Sequence, residues 1–299
     1  MKKAKKIKYI AAAVLLAAAL FITAFTHGAL SEYLQAVFDP SSVFDSSVDF
    51  VKITDVGQAV CVLIYSNGCS ALIDVAAKEN TANIRRGLDN ANITDIDAVI
   101  VTHLHADHAG GLIDLARSVK IDNLIIPELN GYTETSGYVN AAKGIVARNG
   151  GNVYTALQGM NFKIGEFTVT LLAYYDYMES ENNKSVIVMA ELDGVKFLFT
   201  GDAEDNAERA LIYDGLNIDC DVLKVGHHGS SSSSCRDFLA AATPEYAAIS
   251  VGENNIYSHP SGSVVSALED CGAEIFRTDT DGDITFFVED GKIRTKTEK

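Results

Sequence analysis

The chain has 299 residues, of which 47% are hydrophobic and 21% charged, with 23 Gly and only 4 Pro. That is enough apolar surface for one large or two small cores, and it excludes a disordered or collagen-like protein. The formal net charge is −16, from 24 Lys plus Arg against 40 Asp plus Glu. Such a field repels polyanions at long range and excludes a role in coating nucleic acid regardless of sequence.

In chain order, Lys2, Lys3, Lys5, Lys6 and Lys8 precede an uncharged, mostly apolar run from Ile10 to Phe25. A basic start followed by such a run is an export signal. Residues 1–30 are therefore expected to be a signal peptide, cleaved weakly near Gly28-Ala29, or an N-terminal membrane anchor, since Tyr9 to Leu30 is just long enough to span. Either way the remainder is expected to be extracytoplasmic, secreted or tethered to the cell membrane. Residues 31–48, with Pro40 and repeated serines, read as a linker, and 49–299 as the ordered domain.

Within that domain, residues 50–57, 60–65 and 70–74 read as strands, the last two joined at Asn67-Gly68. A helix is expected over 81–91, a strand over 97–101, a helix over 110–119, a short strand over 124–127 and a helix over 138–148 closed by Asn149-Gly150-Gly151. Strands follow at 167–172, 185–192 and 195–200, with Asp193-Gly194 as a second hairpin turn. A helix at 204–213, a strand at 221–225, a helix at 236–242, a strand at 246–251 and a helix from Ser261 to Cys271 complete the pattern. Hairpins mixed with helical crossovers fit two sheets, each covered outside by helices, better than one parallel sheet. The five cysteines contain no C-x-x-C, which excludes a zinc ribbon or thioredoxin-like motif.

The chemistry is concentrated where histidines gather. Apart from His27, the seven histidines fall in three short motifs: Thr102-His-Leu-His-Ala-Asp-His-Ala-Gly-Gly111, Gly226-His-His-Gly229 and Ser258-His-Pro-Ser261. His103 and His105, two apart at a strand end, can point the same way, and Asp107 and His108 turn back toward them. Imidazole nitrogens with a carboxylate oxygen are the donor set of zinc and similar divalent ions. Asp202, directly after the strand ending Phe199-Thr-Gly, reads either as a helix N-cap or as a carboxylate bridging two ions. In the Gly226–Gly229 turn, one histidine can bind metal while its neighbour faces substrate. Ser230 to Ser234 reads as a flexible turn and N-cap, and the helix starting at Ser261 would aim free N–H groups at an anion. Asp279-Thr-Asp-Gly-Asp283 has the look of a calcium loop, but its glycine comes two places early and no closing glutamate follows, so a turn is expected.

As an ordered set, Asp55-Val-Gly-Gln58, Leu72-Ile-Asp74, the 102–111 motif, Asn182-Asn-Lys-Ser185, Phe199-Thr-Gly-Asp202, Val222-Leu-Lys-Val-Gly-His-His-Gly-Ser230 and Ser258-His-Pro-Ser261 resemble the metallo-β-lactamase-fold hydrolase domain of the ComEC family of DNA-uptake proteins, over residues 50–290. The resemblance implies an α/β protein of αββα sandwich form with two divalent metal ions, zinc or manganese, at one edge. It implies His103 and His105 on the first ion, Asp107, His108 and His227 on the second, and Asp202 between them. His228 and His259 would then face substrate, with Asp107, His228 and His259 as the catalytic groups. Three positions depart from the pattern: Val60 and the Val75-Ala76 pair stand where relatives carry Asp and Gly, and no histidine occurs between His108 and His227. Glu181, Asn182 or Asn183 is expected to replace the missing ligand with oxygen, which would leave the first site weaker or favour manganese over zinc.

The function implied is a binuclear metal-dependent hydrolase using a metal-bridged hydroxide, with a phosphodiester substrate such as single-stranded DNA, no obligate protein partner, and the membrane as partner if the leader stays uncleaved. The same fold also supports hydrolysis of lactones, thioesters or β-lactams, or a degenerate module that only binds metal.

Overall fold

The computed structural model describes residues 48–128 and 134–299, so the export, anchoring and linker expectations for residues 1–47 lie outside the described residues. The domain opens with Asp49–Ile53 (β1), which pairs antiparallel with Val62–Ser66 (β2), and β2 turns into Cys69–Ile73 (β3). Positive φ at Asn67 (49°) and Gly68 (81°) gives that hairpin the type I′ turn whose twist matches its strands.

Asp95–Ile100 (β4), Lys120–Ile126 (β5) and Asn152–Thr155 (β6) then add in parallel. Between them run Thr81–Asn90 (α1), the one-turn Ala106–Ala109 (α2), Leu112–Ser118 (α3) and Glu134–Arg148 (α4). The second sheet starts as an antiparallel meander of Asn161–Ile164 (β7), Phe167–Ala173 (β8), Ile187–Leu192 (β9) and Val195–Phe199 (β10). It continues in parallel through Val222–Lys224 (β11), Tyr246–Ile249 (β12) and Glu274–Arg277 (β13), interleaved with Asp205–Tyr213 (α5), Arg236–Ala242 (α6) and Gly262–Asp270 (α7). After the short Thr278–Asp281 (α8), Ile284–Glu289 (β14) returns to pair with β1, and Lys292–Thr297 (β15) closes that edge. Among the described residues the sheets therefore run β15-β14-β1-β2-β3-β4-β5-β6 and β13-β12-β11-β10-β9-β8-β7.

The two sheets face each other across one apolar layer. Val51, Ile53, Ile64, Ile73, Ile100 and Phe286 from the first meet Phe167, Val169, Val188, Phe197 and Phe199 from the second, all buried. The alternation in β8, where Phe167, Val169, Leu171 and Ala173 are buried and the residues between them half-buried, is the period-two signature of a strand with one face inward. A separate outer layer buries Leu211, Phe238, Leu239, Val264 and Leu268 of α5 to α7 against Leu198, Leu223, Ala247 and Ile249 of the second sheet. Each parallel segment ends at the same edge of the sandwich, so the loops after β3, β4, β10, β11 and β12 converge there.

Two differences from the sequence expectations, and the turn expected at 279–283, have physical causes. The helix expected over 110–119 is the shorter α3 at Leu112–Ser118, and the separate one-turn α2 at Ala106–Ala109 precedes it. Gly111 lies so close to the 75–77 segment that a Cβ would stand 2.5 Å from the Val75 carbonyl oxygen, and its N–H donates to Ala76. The edge strands β6 and β7 were not anticipated because they are largely exposed and carry little apolar alternation. In the 279–283 stretch the carboxylates are already engaged: Arg277 pairs with Asp279, Asp281 accepts from the Arg277 N–H, and Asp283 accepts from the Asp55 N–H and pairs with Lys52. The segment is a short helix and turn rather than a cation loop.

Candidate active site

The site is built on Asp74, which directly follows β3 with φ 59°, in the left-handed region that Asp enters more readily than most non-glycine residues. Its carboxylate is fully buried. Oδ1 accepts from the Thr102 N–H at 2.8 Å, and Oδ2 accepts from the Thr102 hydroxyl at 2.8 Å and faces His108 Nδ1 at 2.6 Å. A carboxylate can only accept, so His108 carries its proton on Nδ1 and turns Nε2 inward, the carboxylate–histidine arrangement that orients metal-binding imidazoles. Burial works to lower the His108 imidazole, but the Asp202 and Asp74 carboxylates outweigh it and hold it well above its ordinary value.

His228 is set the same way from the other sheet. Its Nδ1 lies 2.8 Å from the Ser250 carbonyl oxygen, an obligate acceptor, so Nε2 is directed at Asp107 Oδ2, 3.2 Å away. Single ligand atoms of Asp107, His108, Asp202 and His228 all lie within 4.8 Å of one another. His108 Nε2 and Asp202 Oδ1 are 3.1 Å apart, yet both are buried and neither makes an aligned hydrogen bond. His108 Nε2 and Asp202 Oδ1, buried side by side without an aligned bond and within reach of the Asp107 and His228 ligand atoms, leave the kind of gap a divalent cation fills, so the residues fit one. Burial acts to raise Asp107, but the His228 hydrogen bond and the His108 charge bring it to about 2. Asp202, although buried, is held well below the carboxylate range chiefly by His108 and His228.

A second group of donors meets the other Asp202 oxygen. His103 Nε2 is 3.1 Å from His105 Nδ1 and 4.0 Å from Asp202 Oδ2. Burial lowers the His103 imidazole well below its ordinary value, and the neighbouring His108 adds to the effect, which keeps it in the neutral form that binds metal. Asp202 thus stands between the two sets. It is not a helix cap: α5 begins at Asp205 and its N-cap is Glu204. The position is made possible by Gly201, with φ 55°, where a Cβ would lie 2.8 Å from Ser185 Oγ and 2.9 Å from Thr102 Cβ. Ser185 Oγ also accepts the Asp202 N–H.

The two histidines of the Gly226–Gly229 turn lie in different surroundings. Both histidines have left-handed φ, 49° and 54°, but His228 joins the buried tetrad, whereas His227 is partly exposed. His227 Nδ1 lies 3.2 Å from Ser232 Oγ, its Nε2 is 3.4 Å from Asn182 Nδ2, and its distance to Asp202 Oδ2 is 3.8 Å. His259 lines the cleft as expected, with Nδ1 3.5 Å from Gln58 Nε2; that amide can only donate, so the His259 proton sits on Nε2. Burial, then His227 and His228, keep the His259 imidazole below its ordinary value. Of the three oxygen donors offered for the missing histidine, Glu181 pairs with Lys184, and Asn183 accepts from the Glu204 and Ala207 N–H groups. The Asn182 side-chain oxygen is buried without a partner among the described residues.

One anion-binding expectation and one loop expectation change. Ser261 accepts the Ser263 N–H and so occupies the start of α7 with its own side chain. The serine run is pinned rather than flexible: Ser233 Oγ donates to the Ala203 carbonyl, and Glu208 accepts from the Ser234 and Cys235 N–H groups. The sequence placed Asp74 at a strand end and Thr102 at the head of the histidine motif without giving either a role, and it singled out nothing at Tyr257. The cleft has a volume of about 300 Å³ and is lined by His105, Asp107, Asn182, Asp202, His227, His228, Tyr257 and His259, with Gln58 and Ala106.

Comparison with known proteins agrees with this geometry. The model of the metallo-beta-lactamase superfamily matches residues 54–253. ComE operon protein 3 of Bacillus subtilis is 32% identical over 200 residues, 65% of this chain and 25% of that protein. Competence protein ComA of Neisseria gonorrhoeae is 28% identical over 251 residues, 82% of this chain and 33% of that one. The chain spans about a quarter to a third of the length of these curated relatives. Among solved structures, the metallo-beta-lactamase fold protein YhfI from Bacillus subtilis aligns with a TM-score of 0.54 at 12% identity, over 83% of this chain and all of that one. Residues 54–253, carrying both halves of the cluster, place it: the chain belongs to the metallo-beta-lactamase superfamily.

Proposed function

We propose that the protein is a metal-dependent phosphodiesterase that cleaves single-stranded DNA outside the cytoplasm. The observation that carries this reading is the position of Asp202. It is buried between His103–His105 on one side and Asp107–His108–His228 on the other, with the unbonded His108 Nε2 and Asp202 Oδ1 facing the same space. Two divalent ions held there, whether zinc or manganese, would supply Lewis acidity to the phosphoryl oxygen and an activated water. His103, His105 and the Asn182 oxygen would hold one ion, Asp107, His108 and His228 the other, and Asp202 would touch both. Asp74 and the Ser250 carbonyl fix the tautomers that leave each Nε2 available. His259, neutral and with its proton on Nε2, is the donor proposed for the leaving oxygen.

The choice of a DNA phosphodiester draws on the relatives named as competence proteins, and the extracytoplasmic location on the lysine-led apolar leader. Incubating the full chain with manganese or zinc and an aryl phosphodiester, single-stranded DNA, a lactone and a chromogenic β-lactam tests the activity. Cleavage of the first two is expected. Turnover of only the lactone or the β-lactam would replace this reading with the other hydrolase chemistry of the fold. A fusion of alkaline phosphatase to the C-terminus, active only outside the cytoplasm, tests location.

A further inference from the structure

Resting on the phosphodiesterase reading, we propose that Tyr257 is the platform on which an unpaired base next to the scissile phosphodiester stacks, which makes the substrate a single strand rather than a duplex. Exposed tyrosines are common and need no explanation by themselves. Tyr213 (92% exposed) and Tyr177 (73%) are more open to solvent, but neither lines the cleft, whereas Tyr257, at 63%, forms part of its wall. The Tyr257 ring lies nearly parallel to His259, with centroids 5.6 Å apart and planes at 25°, and His259 is nearly parallel to His228 at 6.5 Å and 15°. Three aligned rings therefore lead from the rim to the metal-binding tetrad. The imidazole lies alongside the phenol, and Tyr257 keeps 63% of its surface open to solvent.

The platform is held in place before substrate arrives. Asn255 clamps its own loop, donating to the Gly252 and His259 carbonyls at 3.0 and 2.7 Å and accepting the His259 N–H at 3.0 Å. Gln58 accepts the Gly252 N–H and so ties the loop to the opposite sheet. A fixed aromatic face binds at lower entropic cost than a mobile one. The charge pattern points the same way: among the described residues, none of those lining the cleft is Lys or Arg, in a chain of net charge −16. The counterion release that usually drives nucleic-acid binding is not built into the cleft. Stacking, which every base supports through its π-face, supplies the grip instead, and a base within a duplex has no face to offer.

The test uses the full chain as wild type, Tyr257→Ala, Tyr257→Phe and the control Tyr213→Ala. The substrates are a thymidine decamer and a decamer of abasic residues with the same phosphates. Removing one base–aromatic stack is worth about 5- to 150-fold, so Tyr257→Ala should raise KM for the thymidine decamer by that factor with kcat nearly unchanged. Tyr257→Phe and Tyr213→Ala should stay near wild type, and none of the variants should change KM for the abasic decamer. An unchanged KM in Tyr257→Ala, or an equal loss on both decamers, would overturn the proposal, the latter because it reports a disturbed loop. If wild type cleaves neither decamer, the phosphodiesterase reading fails, and fluorescence anisotropy of the same labelled decamers on the cleavage-dead Asp202→Asn chain decides the platform. Tighter, Tyr257-dependent binding of the thymidine decamer upholds it, and equal binding of the two refutes it.

Discussion

Asp74→Asn isolates what the buried carboxylate does, because the side chain keeps its shape and loses its charge. The Asn oxygen can still accept the Thr102 N–H, but the amide then presents N–H to the Thr102 hydroxyl and to His108 Nδ1, which in the wild type lie 2.8 and 2.6 Å from the carboxylate oxygen. An amide donor facing Nδ1 forces the imidazole proton onto Nε2, the atom aimed at Asp107 and Asp202. Loss of an oriented partner behind a metal-binding histidine costs roughly 10- to 100-fold in metal affinity, about 1.4–2.8 kcal/mol. Hydrogen bonds to a charged acceptor contribute about 1.5–3 kcal/mol each, and the variant replaces two of them, so the metal-free fold should also lose on the order of 3 kcal/mol. Calorimetric titration of the full chain with manganese, beside thermal melts in EDTA, reads both effects. A variant that binds manganese as tightly as wild type would show that the Asp74–His108 contact does not set the tautomer, and the reasoning would fail.

The two histidines of the 226–229 turn should separate cleanly: His228→Ala weakens manganese binding by tenfold or more, whereas His227→Ala leaves it near wild type and acts on KM. The opposite pattern would return His227 to the metal. Gly201→Ala should destabilise the fold by about 2–4 kcal/mol, since the new Cβ meets Ser185 and Thr102 at a positive φ; a urea midpoint within error of wild type would contradict this. Burial raises the Glu208 carboxyl from 4.5 to about 7, against the pull of the Cys235 and Ser234 N–H groups. Between those values the native chain holds a proton that the unfolded chain has released, so this group's contribution to stability is present at low pH and lost as pH rises through 7. The change is on the order of 3 kcal/mol. Melts in EDTA from pH 5 to 8 should show that slope reduced in Glu208→Gln, and an identical slope in both chains would assign it elsewhere.

The strand order and the metal chemistry were legible for different reasons. Buried strands such as β2 and β8 announce themselves because burial demands apolar side chains at fixed spacing, and the Asn67-Gly68 and Asp193-Gly194 turns because type I′ geometry demands positive φ. The 103–108 motif stands out in the sequence because few other roles call for that set of side chains. What spacing could not settle was direction. His227 and His228 are adjacent and chemically identical, and they are distinguished only by the Ser250 carbonyl and Ser232 hydroxyl that hold their rings, groups brought in by other segments. Asn182 was likewise one of three oxygen candidates until Lys184, Glu204 and Ala207 were seen to occupy the others. Asp74 sits 34 residues from His108 in sequence, and nothing local marks an acid as the partner of so distant an imidazole.

The account depends on the buried donors forming a metal centre, and anomalous scattering from a manganese-soaked crystal of the protein tests that directly. The prediction is one peak among Asp107 Oδ2, His108 Nε2, Asp202 Oδ1 and His228 Nε2, and a second beside His103, His105 and the other Asp202 oxygen. An empty cluster at saturating manganese, with the imidazoles turned onto protein partners, would contradict it.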